Sequence, residues 1–184
     1  MFASLFSRKA RVNHDLTDGL YGQIVAAARQ PHFYAAWDVP DTPLGRFEMI
    51  GLHMFLFLRR TRGHEGHLAA ISQDVTDVFF KEVDHSLREL GIGDTSVPKR
   101  MKKLARMYFG RLESYEHAVA TRDEPALAAA LKRNIRPDAA EWPAAASLAA
   151  YVLAAEDALA GQPDEAIQGG RVAFPEAGTM EDRT

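Results

Sequence analysis

Apolar residues recur at helical spacing along most of this chain. Leu16, Leu20 and Ile24 lie four residues apart and predict a first helix over residues 15–29, which Pro31 ends. Residues 31–42 follow no regular period, and we expect them to be irregular.

The second predicted helix, residues 43–62, contains the most apolar stretch of the chain. The segment Asp41-Thr42-Pro43 supplies a side-chain oxygen that can cap the first backbone N–H groups, followed by a proline suited to the first turn. Over residues 49–58 only Gly51 and His53 interrupt the apolar residues. This stretch is too short to span a bilayer, which takes about 20 apolar residues. We therefore expect it to be buried in protein.

Four later stretches share the helical period, and none alternates polar and apolar residues as a strand would. The pattern predicts an all-α fold, a single-domain bundle of about six helices over residues 13–161. After residue 161 glycine, proline and acidic residues accumulate, so residues 162–184 are expected to form a mobile acidic tail. Within this tail, Val172 and Phe174 are the candidates to dock on the bundle. The four stretches begin near residues 68, 96, 123 and 143.

Composition narrows the chemistry that the chain can perform. Its 184 residues are 47% hydrophobic and 26% charged with a net charge of -3, which is typical of a soluble globular protein. The absence of cysteine excludes disulfides, thiolate nucleophiles and thiolate-rich zinc sites. Residues 1–12 combine Phe2, Leu5 and Phe6 at helical spacing with basic residues, a pattern that suits a membrane surface. A frayed terminus is the alternative.

The candidate metal-binding and catalytic residues form no convincing site. His64 and His67 have the spacing of two metal ligands, but neighbouring glycines indicate a loop. The residues that could complete a site are Asp74, Asp77, His53 and His85. His53 lies among apolar residues and is expected to be a core residue with satisfied hydrogen bonds. The motifs of serine hydrolases, phosphate-binding loops and dinucleotide folds are absent. We expect no metal, no cofactor and no catalysis, with a helical metalloenzyme as the alternative.

Basic residues concentrate in the fourth predicted helix. Cations on one helix face attract the phosphates of lipid or RNA by long-range forces and counterion release. A merely solvated helix face has the same pattern, and nothing here indicates base-specific reading of DNA. The cations that would dock a polyanion or a partner are Lys99, Arg100, Lys102, Lys103, Arg106 and Arg111.

An aromatic segment precedes the second predicted helix. Phe33 and Trp37 would either close over the core or form part of a recognition surface. Arg46 follows in the first turns of the helix, where the helix dipole does not favour a cation. We therefore expect Arg46 to have an acidic partner, either Asp38 or Asp41.

Short motifs along the chain carry a family resemblance. They are Phe33 with Trp37, Val39-Pro40-Asp41-Thr42, Gly45-Arg46-Phe47-Glu48, Leu52-His53, Gln73-Asp74, Phe79-Phe80, residues 87–92, Val97-Pro98-Lys99-Arg100, Lys102-Lys103 and Gly110-Arg111. With these motifs the chain resembles the ubiquinol-cytochrome c chaperone family over residues 15–160. One departure is Tyr108-Phe109, where the family tends to have Phe-Tyr.

The resemblance implies an assembly chaperone for respiratory complex III that binds newly made cytochrome b and shields its apolar surface. It also implies a small partner protein and a contact with the ribosome or anionic lipid. A peripheral membrane or RNA-binding adaptor that uses the basic helix is the alternative. High alanine content and the lack of a long basic presequence favour a bacterial member, which we expect in the cytoplasm at the inner membrane. The expected contact residues for client or partner are Phe33, Tyr34, Trp37, Asp41, Thr42, Arg46, Phe47, Glu48, Met49, His53, Met54 and Phe57.

Overall fold

The computed structural model describes residues 2–91 and 96–179, with side chains from residue 14 onward. This part of the chain contains eight α-helices and no strand. They are α1 (Phe2–Ala28), α2 (Pro31–Ala35), α3 (Pro43–Thr61), α4 (His67–Glu89), α5 (Val97–Ala120), α6 (Glu124–Ile135), α7 (Ala144–Ala160) and α8 (Asp164–Gln168).

The all-α fold predicted from the sequence is confirmed, although two helices differ from the prediction at the N-terminal end. The first helix begins at Phe2 instead of residue 15. The short helix α2 occupies part of the segment predicted to be irregular. Pro31 lies in the first turn of α2, where a backbone N–H would have no partner within the helix. Pro31 therefore follows the end of α1 and also begins α2. The amphipathic face predicted for residues 1–12 lies outside the described side chains.

Helix α3 lies at the centre of the bundle and packs against α1, α4, α6 and α7. Residues 51–57 are all buried. A helix that is apolar on every side requires neighbours on every side. The predicted burial of this stretch is therefore confirmed.

Up to residue 179, the chain that follows α7 is packed on the bundle, unlike the predicted mobile tail; residues 180–184 lie outside the described residues. Helix α8 and residues 169–179, which we name the strap, pack along the bundle. Within the strap, residues 171–176 belong to no helix or strand, and a short 3₁₀ turn follows at residues 177–179. Val172 and Ala177 are buried, and Phe174 packs against the core. Glycine and proline suit an extended docked segment as well as a mobile one, and the partners of the strap lie far away in the sequence. Composition alone therefore could not distinguish the two.

Candidate interaction surface

The turn that leads into α3 is determined by a close backbone approach. Thr42 is the N-cap of α3, and its hydroxyl accepts a hydrogen bond from the Gly45 N–H at 3.1 Å. A Cβ atom at Gly45 would lie 2.0 Å from the carbonyl oxygen of Pro40, so only glycine permits this approach. The turn therefore presents the next residue, Arg46, from a well-defined position.

Arg46 pairs with Asp41 at the protein surface. Its Nε donates to Asp41 Oδ1 at 2.6 Å, and the two side chains are 48% and 59% exposed. This hydrogen bond is the main reason that the pKa of Asp41 lies below its usual value. The acidic partner of Arg46 is thus Asp41, whereas Asp38 pairs with Arg136. Because both side chains are exposed to water, this ion pair contributes little to the stability of the fold. Its main effect is to orient the Arg46 side chain.

Arg46 lies at the edge of a groove between α1, α3 and α4, which we name the Arg46 groove. Its volume is about 350 Å³. A second hollow of about 550 Å³ also includes Arg29 and Arg46, together with Tyr34 and Asp41, so the two hollows adjoin. The residues that line the Arg46 groove are Tyr21, Val25, Arg29, Pro43, Arg46, Phe47, Ile50, Phe79, Glu82, Val83, Ser86, Glu89 and Leu90.

The lining of the Arg46 groove combines apolar surface with both signs of charge. Phe47 is half-buried and stacks on Phe79, with ring centroids 6.0 Å apart and ring planes 19° apart. The arginines are Arg29, just after α1, and Arg46 on α3, while α4 contributes glutamates. Leu90, just after α4, is 59% exposed. Such a surface can hold an amphipathic segment that carries apolar and charged side chains.

Seven of the twelve residues predicted to contact a client or partner lie in the core instead. None of the seven exposes more than 5% of its surface. Neighbouring helices cover them, including the methionines and phenylalanines of α3. The prediction of a contact surface is therefore corrected for Phe33, Trp37, Glu48, Met49, His53, Met54 and Phe57.

His53 has both ring nitrogens satisfied within the core. Its Nδ1 lies 2.8 Å from the Met49 carbonyl oxygen, and its Nε2 lies 2.9 Å from the Tyr151 hydroxyl. Because a carbonyl can only accept, Nδ1 carries the proton and Nε2 accepts from Tyr151. Burial lowers the pKa of His53 to about 4, so the ring is neutral near pH 7. His53 is a core residue and has no role as a base or a ligand in this arrangement.

Arg111 forms a buried ion pair and does not belong to the basic surface. Its Nη1 lies 2.5 Å from Glu48 Oε1, and the two side chains are 15% and 3% exposed. Burial raises the pKa of Glu48 to about 7, and the charge and hydrogen bond of Arg111 offset only part of that effect. The docking role predicted for Arg111 is therefore corrected, because its charge is committed to a carboxylate inside the fold.

A cavity of about 10 Å³ adjoins this ion pair and is also lined by Tyr108. The Tyr108 hydroxyl is buried and has no hydrogen-bond partner among the described residues. The neighbouring residue, Phe109, is instead 57% exposed. The order of the two aromatic residues thus places a hydroxyl inside the fold and a bare phenyl ring at the surface.

The other predicted docking cations are exposed at the start of α5. None of them has an ion-pair partner among the described residues. With 3.6 residues per turn, Lys99, Lys102, Arg106 and Phe109 lie within about 80° of arc on the helix. We name the basic face by its five cations, Lys99, Arg100, Lys102, Lys103 and Arg106.

The described residues bring no three metal-binding side chains together. His64 lies 3.3 Å from Asp164 and 3.3 Å from the Thr61 carbonyl oxygen, while His67 begins α4. The two histidines therefore lie near the turn between α3 and α4, as their glycine neighbours indicate. No helix within the described ranges has both the length and the apolar character needed to cross a membrane.

The walls of the Arg46 groove on α1 and α4 were not predictable from the sequence. Tyr21, Arg29, Glu82 and Glu89 occupy ordinary positions on amphipathic helices. Helical spacing indicates which face of a helix is polar, but not which helices meet. The packing of α1 on α3 and α4 brings these residues to Arg46.

Comparison with known proteins gives one family and one closely similar fold. The family model described as ubiquinol-cytochrome C chaperone matches residues 35–174. The crystal structure of the Cbp3 homolog from Brucella abortus matches with a TM-score of 0.88 and 53% sequence identity. The match covers 97% of this chain and 98% of that one. A comparison with curated proteins gave no match.

Proposed function

Because this chain belongs to the ubiquinol-cytochrome c chaperone family, we propose that it binds newly synthesised cytochrome b during assembly of the cytochrome bc complex. The bound chaperone covers apolar surface of the client, delays its aggregation, and leaves when later subunits bury that surface. Such binding is reversible and stoichiometric. It requires neither a catalytic residue nor a cofactor.

The observation that carries the contact site is the Arg46 groove. Its apolar lining matches the apolar face of a client segment, and its arginines and glutamates match the charged ends of such a segment. Five of the predicted contact residues are available at or beside this groove because they are not buried. These five are Tyr34, Asp41, Thr42, Arg46 and Phe47.

Site-specific photo-crosslinking in the native host tests this proposal. Phe47 is replaced by p-azidophenylalanine, which keeps the phenyl ring, and the matched control carries the same group at Arg133. Arg133 is exposed on α6, which does not line the groove. We expect cytochrome b to be enriched at position 47 alone. Equal yields at the two positions, from folded variants, would refute the assignment of the groove.

A second candidate function, a peripheral membrane adaptor, is favoured by the basic face. Five exposed cations and the exposed ring of Phe109 lie on one helix, and this combination suits an anionic lipid surface. On this basis we propose attachment to the cytoplasmic face of the inner membrane. The ribosome and a small partner protein, which the family resemblance implies, are further candidates for the same face.

Co-sedimentation with lipid vesicles tests the adaptor function. Vesicles that contain phosphatidylglycerol should bind the protein at low salt, and phosphatidylcholine vesicles should not. Lys102→Glu should reduce this binding, whereas Arg133→Glu, the same charge change on α6, should not. Equal losses in the two variants would indicate an effect of net charge and not of the basic face. Binding to RNA but not to vesicles would favour the ribosome instead.

A further inference from the structure

The main chain of the strap forms hydrogen bonds with glutamine side chains from α1 and from the segment after α7. On α1, Gln23 donates to the Gly170 carbonyl oxygen at 2.8 Å and accepts from the Val172 N–H at 2.9 Å. After α7, Gln162 donates to the Ala173 carbonyl oxygen at 2.7 Å and accepts from the N–H of the same residue at 2.9 Å. Each glutamine side-chain amide both donates to and accepts from the strap main chain, as the peptide groups of a neighbouring strand do in a β-sheet.

A third glutamine, Gln30, repeats this arrangement just after α1, at the N-cap of α2. Gln30 donates to the Pro175 carbonyl oxygen at 3.0 Å and accepts from the Ala177 N–H at 2.7 Å. Because Gln23 contacts the start of the strap and Gln30 contacts its later part, the strap runs in the same direction as α1. The three glutamines together make six hydrogen bonds to the strap, all to its main-chain atoms.

The inner side of the strap covers the aromatic part of the core. Val172 is 5% exposed and Ala177 is fully buried. The ring of Phe174 lies 5.1 Å from the ring of His53. His53 in turn contacts Phe33 and Tyr151. Removal of the strap would therefore uncover part of the aromatic cluster that the sequence had suggested as a contact surface.

These contacts recognise an extended chain more than a particular sequence. Main-chain N–H and C=O groups are common to nearly all residues, so any extended segment without proline at the donor positions can satisfy the glutamines. Side-chain selectivity is limited to small or apolar residues at the positions of Val172 and Ala177. Residues 171–176 belong to no helix or strand, so the strap can open at a lower cost than the bundle.

We propose that the cleft beneath the strap is a binding site for an extended, apolar segment of another polypeptide, which takes the place of the strap. The strap remains tethered through α8 and competes at an effective concentration of about 1 mM, typical of short flexible tethers. A free peptide therefore binds weakly to the wild-type chain. The inference rests on the hydrogen bonds of the strap and not on the identity of the client.

Binding of a labelled peptide of residues 171–179 tests the exchange. Val172→Asp places a carboxylate at a buried position, which should expel the strap but leave Gln23 and Gln30 intact. We expect fluorescence anisotropy to show about tenfold tighter peptide binding than for the wild-type chain. Adding Gln23→Ala and Gln30→Ala should abolish the gain. A peptide with N-methyl groups at the positions of Val172 and Ala177 should not bind.

The strap must be shown to open before the result is interpreted. Faster tryptic cleavage after Arg171, with unchanged circular dichroism, would establish that the Val172→Asp strap is open. If the strap is open and the peptide binds no better than to the wild-type chain, the proposal is wrong.

The wild-type chain offers a second test, independent of folding in any variant. Millimolar peptide should speed hydrogen exchange at the amides of Val172, Ala173 and Ala177, because peptide and strap compete for the same partners. Unchanged exchange at all three would contradict the proposal. Neither test involves cytochrome b, so failure here is separate from failure of the chaperone function proposed above.

Discussion

The first turns of α3 and its middle belong to one helix but present opposite surfaces. Arg46 is exposed and Phe47 half-buried beside the groove, whereas residues 51–57 are covered on all sides. The middle is the more apolar of the two regions, yet it has no surface left for a partner. In this fold the most apolar stretch forms the core, and the candidate recognition surface lies where apolar and charged residues meet.

The largest expected effect distinguishes two phenylalanines of α3. Phe57→Ala should lower the free energy of unfolding by about 3–5 kcal/mol, because Phe57 is fully buried and its loss leaves a cavity. Phe47→Ala should cost less, since Phe47 already contacts solvent. Urea unfolding measures both values. If Phe57→Ala left stability unchanged, the middle of α3 would have to be accessible after all.

Two buried titratable residues of α3 should respond to pH in opposite directions. Burial lowers the pKa of His53 from 6.5 to about 4, so its stabilising contribution is present above pH 6.5 and is lost as pH falls towards 4. Over the same range the raised pKa of Glu48, from 4.5 to about 7, favours the fold at the lower pH and ceases to do so as pH rises. Each contribution is about 3 kcal/mol at most.

The two contributions should largely offset one another in the wild-type chain. Glu48→Gln removes one of them, so this variant should lose stability steeply between pH 6.5 and 4. Urea unfolding at four or five pH values across that window measures the slope. The same slope in the wild type and the variant would show that the pKa of Glu48 does not differ between the folded and unfolded states.

The turn before α3 should be sensitive to a single methyl group. Gly45→Ala brings a Cβ atom against the Pro40 carbonyl oxygen and should destabilise the chain by about 1–3 kcal/mol. Gly19→Ala is the matched control, because nothing lies within 4 Å of a Cβ at this exposed position of α1. The control should stabilise the helix by about 0.5–1 kcal/mol. Thermal unfolding compares the two, and similar effects would argue against the close approach at Gly45.

The smallest effect on stability is expected at Arg46. Arg46→Glu removes an exposed ion pair and reverses one charge of the groove, so unfolding should change little. Client capture should nevertheless weaken by about tenfold, through loss of electrostatic complementarity. Crosslinking yield from position 47 measures capture, with Arg133→Glu as the charge-matched control. Full capture by a folded Arg46→Glu variant would remove Arg46 from the contact surface.

Local patterns predicted much of the fold and only part of the candidate site. The N-cap at Thr42 and the pair between Arg46 and Asp41 involve residues at most five apart, and both were predictable from spacing and helix chemistry. The burial of Phe33 and Met54 was harder to assign, because aromatic and methionine side chains serve cores and binding surfaces equally well. Only the neighbouring helices distinguish the two roles.

By itself, the sequence determined that this protein is all-α, where most of its long helices begin and end, and that the middle of α3 is buried. Helical periodicity and capping involve residues only a few positions apart, so both can be recognised in the amino-acid sequence. Tertiary structure alone decided that Arg111 pairs with Glu48, that α1 and α4 complete the Arg46 groove, and that the strap docks on Gln23 and Gln30. Each of these outcomes depends on which distant faces come together, and no local pattern carries that information.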